Sequence, residues 1–261
     1  MFKKIITSLL ILAVMLMPMT AWADSDDVKM TEYQLHNDNM HISLPDGWYF
    51  NTPRDIDEDF LEVSENSKRK LTNYLTDNDI DFNIVSKDLL NEINVILVNS
   101  SQTKTLYDFN ELEDSYLKEK AKALVDQGTQ EEKKVKTTYK SYSLEKFNKC
   151  TFMVLEGTVE DENGKIKFYQ YTTTVNGFGI TVTYRASKGA DYEAGKQLLE
   201  KIVHTLDIKE IKEVDMKTNA YKQLLTPIIL IVGVVGFTAF LFIRQLIKNK
   251  KEEKAKKAKQ Q

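Results

Sequence analysis

The stretch YQLHNDNMHISLPDGWYF carries two apolar-alternating runs on either side of Asn37-Asp38-Asn39. Those three residues tolerate turn dihedrals, so the pattern predicts a β-hairpin. Pro45-Asp46-Gly47 supplies a second turn, after which Trp48, Tyr49 and Phe50 resume strand direction. Between residues 55 and 77, Phe60, Val63, Leu71 and Tyr74 recur near the helical period, with Lys68, Arg69 and Lys70 opposite. One long helix or two shorter ones fit that spacing. Ile80, Phe82 and Ile84 then alternate with Asp79, Asp81 and Asn83, which predicts a strand with the first set inward and the second outward. Residues 92–99, EINVILVN, read as apolar on both faces and therefore as an interior strand. The next helix is predicted from Asp108 as N-cap and Glu111 as its capping-box partner to Gly128 as stop. Phe109, Leu112, Tyr116 and Leu124 form its apolar face.

Strands are then predicted in series over 132–140, which alternates weakly, 151–160, apolar on both faces, and 165–176 and 179–186, both rich in Thr, Tyr, Ile and Val. Asn163-Gly164 and Asn176-Gly177 mark the hairpin turns between them. A helix over 191–205 places Gly195, Leu198, Leu199 and Ile202 on one face, and a short strand over 206–209 follows. Ile208, Ile211 and Val214 recur at intervals of three, which predicts a helical stalk over 211–223.

The two ends of the chain have a different character. Residues 224–243, LLTPIILIVGVVGFTAFLFI, contain no charged side chain, and about 20 residues of helix match the ~30 Å hydrocarbon thickness of a bilayer. Residues 1–23 combine Lys3 and Lys4, an apolar run and Ala21-Trp22-Ala23 before Asp24, the layout of a secretory signal peptide. Residues 244–261 hold eight Lys or Arg against two Glu. A cleaved leader before the span and positive charge after it place the amino terminus outside and the carboxyl terminus in the cytoplasm. The expected organisation is a signal peptide (1–23), an extracytoplasmic α+β domain (24–210), a juxtamembrane stalk (211–223), a single transmembrane helix (224–243) and a basic cytoplasmic tail (244–261). The tail is expected to lie against anionic lipid headgroups. Gly233 and Gly236 lie three apart, not the four of the small-xxx-small dimer motif.

Composition limits the chemistry. With 42% hydrophobic and 29% charged residues, the chain can bury a core. The formal charge of −3 conceals an acidic outer domain balanced by a basic tail, so the domain lacks the net positive character expected for holding nucleic acid. Cys150 is the single cysteine, which excludes an intramolecular disulfide and a cysteine-rich zinc site, and its place at the start of an apolar strand predicts a buried thiol. His36, His41 and Asp38 flank one turn without a known metal-ligand spacing. Asp77-Asn78-Asp79-Ile80-Asp81 begins like a calcium loop, but Phe82 stands where Gly is needed and Asp88 where a bidentate Glu is expected. Neither GxSxG nor HExxH occurs, and the third histidine, His204, falls in the closing helix. Trp48, Tyr49, Tyr169 and Tyr171 are the aromatic binding candidates, each with the competing reading that a strand aromatic faces the core. No catalytic, cofactor or metal residue is nominated.

The segment Ile42-Ser43-Leu44-Pro45-Asp46-Gly47-Trp48, with the closing Leu198-Leu199 and Leu206-Asp207-Ile208, resembles the PsbP-like fold over roughly residues 31–209. The resemblance implies an α+β chain arranged as an α/β/α sandwich with a central mainly antiparallel sheet, here followed by the C-terminal transmembrane helix. It also implies a binding or assembly module without a transferable site. The expected function is a non-catalytic, membrane-anchored extracytoplasmic binding or accessory module for a protein or envelope component. The alternatives are a regulatory or sensory membrane subunit that signals through a partner, and an exported hydrolase.

Overall fold

The computed structural model describes residues 28–35, 39–64, 67–132, 135–161 and 164–212. The expected signal peptide (1–23), the stalk beyond residue 212, the span (224–243) and the basic tail (244–261) lie outside them, as do His36, Asp38 and Asn163. Among the described residues no helix is long and apolar enough to cross a membrane.

Strand β1 (Met30–Gln34) pairs antiparallel with β2 (Met40–Pro45), as the alternation predicts, burying Met40, Ile42 and Leu44. The turn at Gly47 (φ +78) does not return the chain to β2. Instead β3 (Tyr49–Asn51) enters a second sheet beside β4 (Ile80–Val85). Between them the chain forms two helices, α1 (Glu58–Ser64) and α2 (Lys68–Asp77). Ser67 caps the second by accepting from the Lys70 amide. Val63 remains 40% exposed, so the apolar stripe there is narrower than its sequence spacing implies.

In β4 the expected inward and outward sets are not kept. A register shift between Ile80 and Phe82 inserts one extra residue, and this bulge moves Ile80 to the face of Val85 while Phe82 and Ile84 pack on the other. Asn83, expected outside, is 0% exposed. Strand β5 (Asn91–Val98) is interior as expected, although Glu92 and Asn94 are buried on one of its faces.

Helix α3 (Ser101–Leu106) follows, closed by a reciprocal capping box between Ser100 and Thr103. Asp108 does cap, but it caps a single 3-10 turn (Phe109–Glu111), accepting from the Asn110 amide at 2.8 Å. The longer helix, α4 (Asp114–Asp126), starts only after Leu112, which has extended backbone angles, so Glu111 is no capping partner for it. Gly128 stops α4 as predicted.

Strands β6 (Thr129–Glu132), β7 (Val135–Phe147), β8 (Cys150–Asp161), β9 (Gly164–Val175) and β10 (Phe178–Ala186) then pair in succession. β7 continues past its predicted limit at 140 because Asn148 and Lys149, both at positive φ, make an additional two-residue hairpin turn. Asn176-Gly177 forms the expected turn, with φ of 53° and 78°. Helix α5 (Tyr192–His204) is capped by Asp191, and β11 (Asp207–Ile208) adds to β2.

The large sheet has the order β3-β4-β5-β10-β9-β8-β7-β6, antiparallel at every step, and the small one β1-β2-β11. One face of the large sheet lies under α1, α2 and α4, through Phe60, Leu71, Leu75, Leu117 and Leu124. The other packs against α5 and the small sheet, through Leu199, Ile202, Val203, Ile42 and Leu44. The chain is therefore α+β with a large antiparallel sheet, and one outer layer is helix and sheet together rather than helix alone.

Gly195 sets the closest approach in that layer. A Cβ there would lie 1.9 Å from Cζ of Tyr184, a fully buried ring whose hydroxyl donates to Asn91 Oδ1 at 2.7 Å. Gly195→Ala is expected to lower stability by about 2–3 kcal/mol, read as a lower urea midpoint at unchanged slope. A loss below about 0.5 kcal/mol would show that the helix can lift without cost.

Candidate functional site

Two polar features stand out, one sealed and one open. The sealed one runs across the helix-covered face of the sheet, where the register aligns Asn51, Asn83, Asn94, Thr183 and Gln170 on five neighbouring strands. Asn51 donates to Asn83 at 3.2 Å, Asn83 to Asn94 at 2.8 Å, and Thr183 to Gln170 at 3.3 Å. One step along the strands, Glu92 accepts from Asn83 at 2.6 Å and from Asn94 at 2.9 Å. Its other oxygen faces Arg185 across the β5–β10 pair at 3.6 Å, with both side chains at most 3% exposed. Burial raises the Glu92 carboxyl above its ordinary value, while the Arg185 charge and the two amides pull it down. The chain of amide donors and the countercharge account for how a carboxylate sits in a β-sheet interior.

The open feature is a cleft of about 530 Å³ on the opposite face, beyond the amino-terminal end of α5. Lys165 and Lys167 project from the first turn-side residues of β9. Lys140 sits at the β7 bulge, and Lys188 lies in the loop after β10. Tyr192 forms part of the floor, donating to the Phe168 carbonyl at 2.9 Å and to Glu156 at 3.1 Å, and burial pushes its hydroxyl pKa up. The Lys167 ammonium lies 4.8 Å from the centre of the Tyr192 ring. Lys165 is 3.8 Å from Glu160, whereas Lys140, Lys167 and Lys188 form no ion pair among the described residues. Four ammonium groups around one concavity make a cationic surface on a domain whose net charge is acidic.

The sequence candidates fall elsewhere. Tyr49 is buried in the core under the helices and Tyr171 in the core on the other face, at 7% and 2% exposure, and Trp48 and Tyr169 pack half-buried against the second. Tyr171 meets Phe147, Phe152 and Tyr169 edge to face. His41 Nδ1 lies 3.6 Å from Glu32, and His204 sits edge-on to Phe147. No group of three metal-ligating side chains occurs among the described residues. Cys150 is 3% exposed, and burial, with the Asp108 charge second, pushes its thiol up to about 12, which removes the thiolate from neutral chemistry. The cleft lysines carried no sequence signal: they come from three separated segments, each of which reads as a solvated charge.

The architecture therefore defines an α+β protein built on an eight-stranded antiparallel sheet with a basic cleft at one end. Among solved structures the chain is similar to the solution structure of cyanobacterial PsbP (CyanoP) from Synechocystis sp. PCC 6803. The identity is 13%, over 73% of this chain and 99% of that one, with a TM-score of 0.42. This likeness falls on the family that the HISLPDGW segment and the closing helix resemble. At this level it carries no argument about function. No protein-family model matches the chain, and no curated protein does.

Arg185→Met leaves the Glu92 carboxylate without its countercharge and is expected to cost about 3–5 kcal/mol, most of it recovered by adding Glu92→Gln. Loss of Arg185 raises the Glu92 carboxyl further, so the folded state binds its proton more tightly than the unfolded chain. The stability of the single variant should then fall as pH climbs from about 4.5 towards neutrality, more steeply than that of the wild type.

Asp108 titrates in the same sense. Burial, opposed by the Asn110 amide and assisted by Glu111, moves its carboxyl from 3.8 to about 6. Its contribution is whole below pH 3.8 and is lost as pH rises to about 6. Asp108→Asn keeps an acceptor for the Asn110 amide without a charge. It should match the wild type near pH 3.5 and exceed it at pH 7 by roughly 1–2 kcal/mol in denaturant melts.

Proposed function

We propose that the chain is a non-catalytic, membrane-anchored extracytoplasmic binding or accessory module. Residues 1–23 direct export, residues 224–243 anchor the chain, and the folded domain lies outside. Residues 244–261 lie in the cytoplasm against anionic headgroups. The observation that carries this reading is the way the chain leaves the domain. Asn176, in the β9–β10 turn, donates to the Glu210 carbonyl at 2.7 Å and accepts from the Lys212 amide at 2.8 Å. This clasp fixes the point of departure at one end of the sheet, immediately ahead of the stalk and span read from the sequence. A domain held at that end toward a bilayer presents its opposite end, with the basic cleft, to the surroundings.

The same clasp favours a second reading, the regulatory subunit, because it joins the start of the stalk to the sheet by specific bonds and not by a loose linker. Replacing 213–223 by a Gly/Ser linker separates the two readings, since a display module keeps its activity in cells and a rigidly coupled subunit loses it.

Labelling intact cells with a membrane-impermeant amine reagent tests the placement. The lysines of 28–212 are expected to react, those of 244–261 only after permeabilisation, and the mature chain is expected to begin at Asp24 by amino-terminal sequencing. Tail labelling in intact cells, or retention of residues 1–23, would overturn the proposal.

A further inference from the structure

The basic cleft and the exit of the chain lie at opposite ends of one strand. Lys165 and Lys167 stand at the beginning of β9, while the Asn176 clasp follows its last residue, Val175. At ~3.4 Å per residue this 12-residue strand separates them by roughly 30–40 Å. That is several times the ~8 Å Debye length at physiological ionic strength, so headgroups of the membrane carrying the chain contribute little at the cleft. Its ligand must come from the far side.

The chemistry of the lining narrows the ligand. Lys165 and Lys167 are two residues apart and share a sheet face, so their stems stand about 7 Å apart. Lys140 approaches from β7, on the far side of β8 from β9, and Lys188 from the loop after β10. None of the lining residues is an arginine. The planar fork that grips a single carboxylate in two bonds is therefore absent from the lining, and four separate point charges take its place, an arrangement suited to phosphate oxygens distributed over more than one group. In the free protein these ammonium groups repel one another; among the described residues only Lys165 of the four has a carboxylate within 4 Å, and Glu156, below the floor, is held by Tyr192 and Lys196. A bound multivalent anion turns that repulsion into attraction.

We propose that the lysine cleft at the membrane-distal end of the sheet binds a multivalent, phosphate-bearing anion supplied from outside the membrane. The distal placement rests on the anchored orientation proposed above, while the binding itself does not. The two fail separately.

The test is amine footprinting of the full chain in nanodiscs of neutral phosphatidylcholine, with inorganic tripolyphosphate as the probe and acetylation of each lysine read by mass spectrometry. Acetylation of Lys140, Lys167 and Lys188 is expected to fall about fivefold or more at saturating, sub-millimolar probe, while Lys68 and Lys118, exposed on the helical face, are unchanged. Lys167→Gln should weaken the protection read at Lys140 by roughly fivefold. Raising the salt from about 50 to about 200 mM should weaken it tenfold or more, as expected when about three ammonium groups displace counterions. Equal protection at Lys68 and Lys118, or none in the cleft at millimolar probe, overturns the proposal. A second arm uses nanodiscs containing anionic phosphatidylglycerol without tripolyphosphate. The cleft lysines should label there as in neutral discs, and protection by the disc lipid itself overturns the distal, external source.

Discussion

The large sheet depends on one buried pairing of opposite charges. Glu92 and Arg185 face each other across β5 and β10, an interior antiparallel pair, with the row of Asn, Thr and Gln side chains one step away. Such a pair adds little net stability, because desolvation of two ions offsets most of their attraction. Its effect is on alternatives. A slip of one residue between β5 and β10 would carry a carboxylate to the opposite, apolar face of the sheet and leave the guanidinium without it. Hydrophobic strands alone accept several registers, whereas this arrangement tolerates few.

The same constraint explains the run of linked amides on β3, β4 and β5. Asn51, Asn83 and Asn94 each donate to a neighbour in this run, so it spreads the cost of one buried carboxylate over β3, β4 and β5. The bulge in β4 belongs to this arrangement, for by shifting the register after Ile80 it keeps Asn83 on the face where Glu92 and Asn94 need a donor. It also leaves Phe82 tilted against Tyr33 and Phe50, which stack on each other between the two sheets.

Local pattern made the strands from β8 to β10, the first part of β7 and the closing helix readable, because alternation, Asn-Gly turns and a helical stripe are short-range signals. The bulge at Ile80/Phe82 was hidden, since an inserted residue leaves composition and alternation almost unchanged. The Asn148-Lys149 turn was hidden because lysine carries no turn signature, and α3 because Thr103 takes the place of the Glu or Gln that marks a capping box. Glu92 and Arg185 read as polar ends of apolar runs, and only the order of strands brings them together. The basic cleft shares that origin: its lysines are far apart along the chain and meet through the pairing of β7, β8 and β9 and the course of the chain after β10.

The Asn176 clasp also has a mechanical consequence. A pull on the chain beyond residue 212 meets the two bonds to Asn176 first, then the short pairing of β11 with β2. These are few contacts, exposed and arranged to yield one after another, whereas the long strands behind them share any load across many bonds at once. Tension applied there would be relieved by releasing the last few residues of the domain, which lengthens the connection while the sheet keeps its shape.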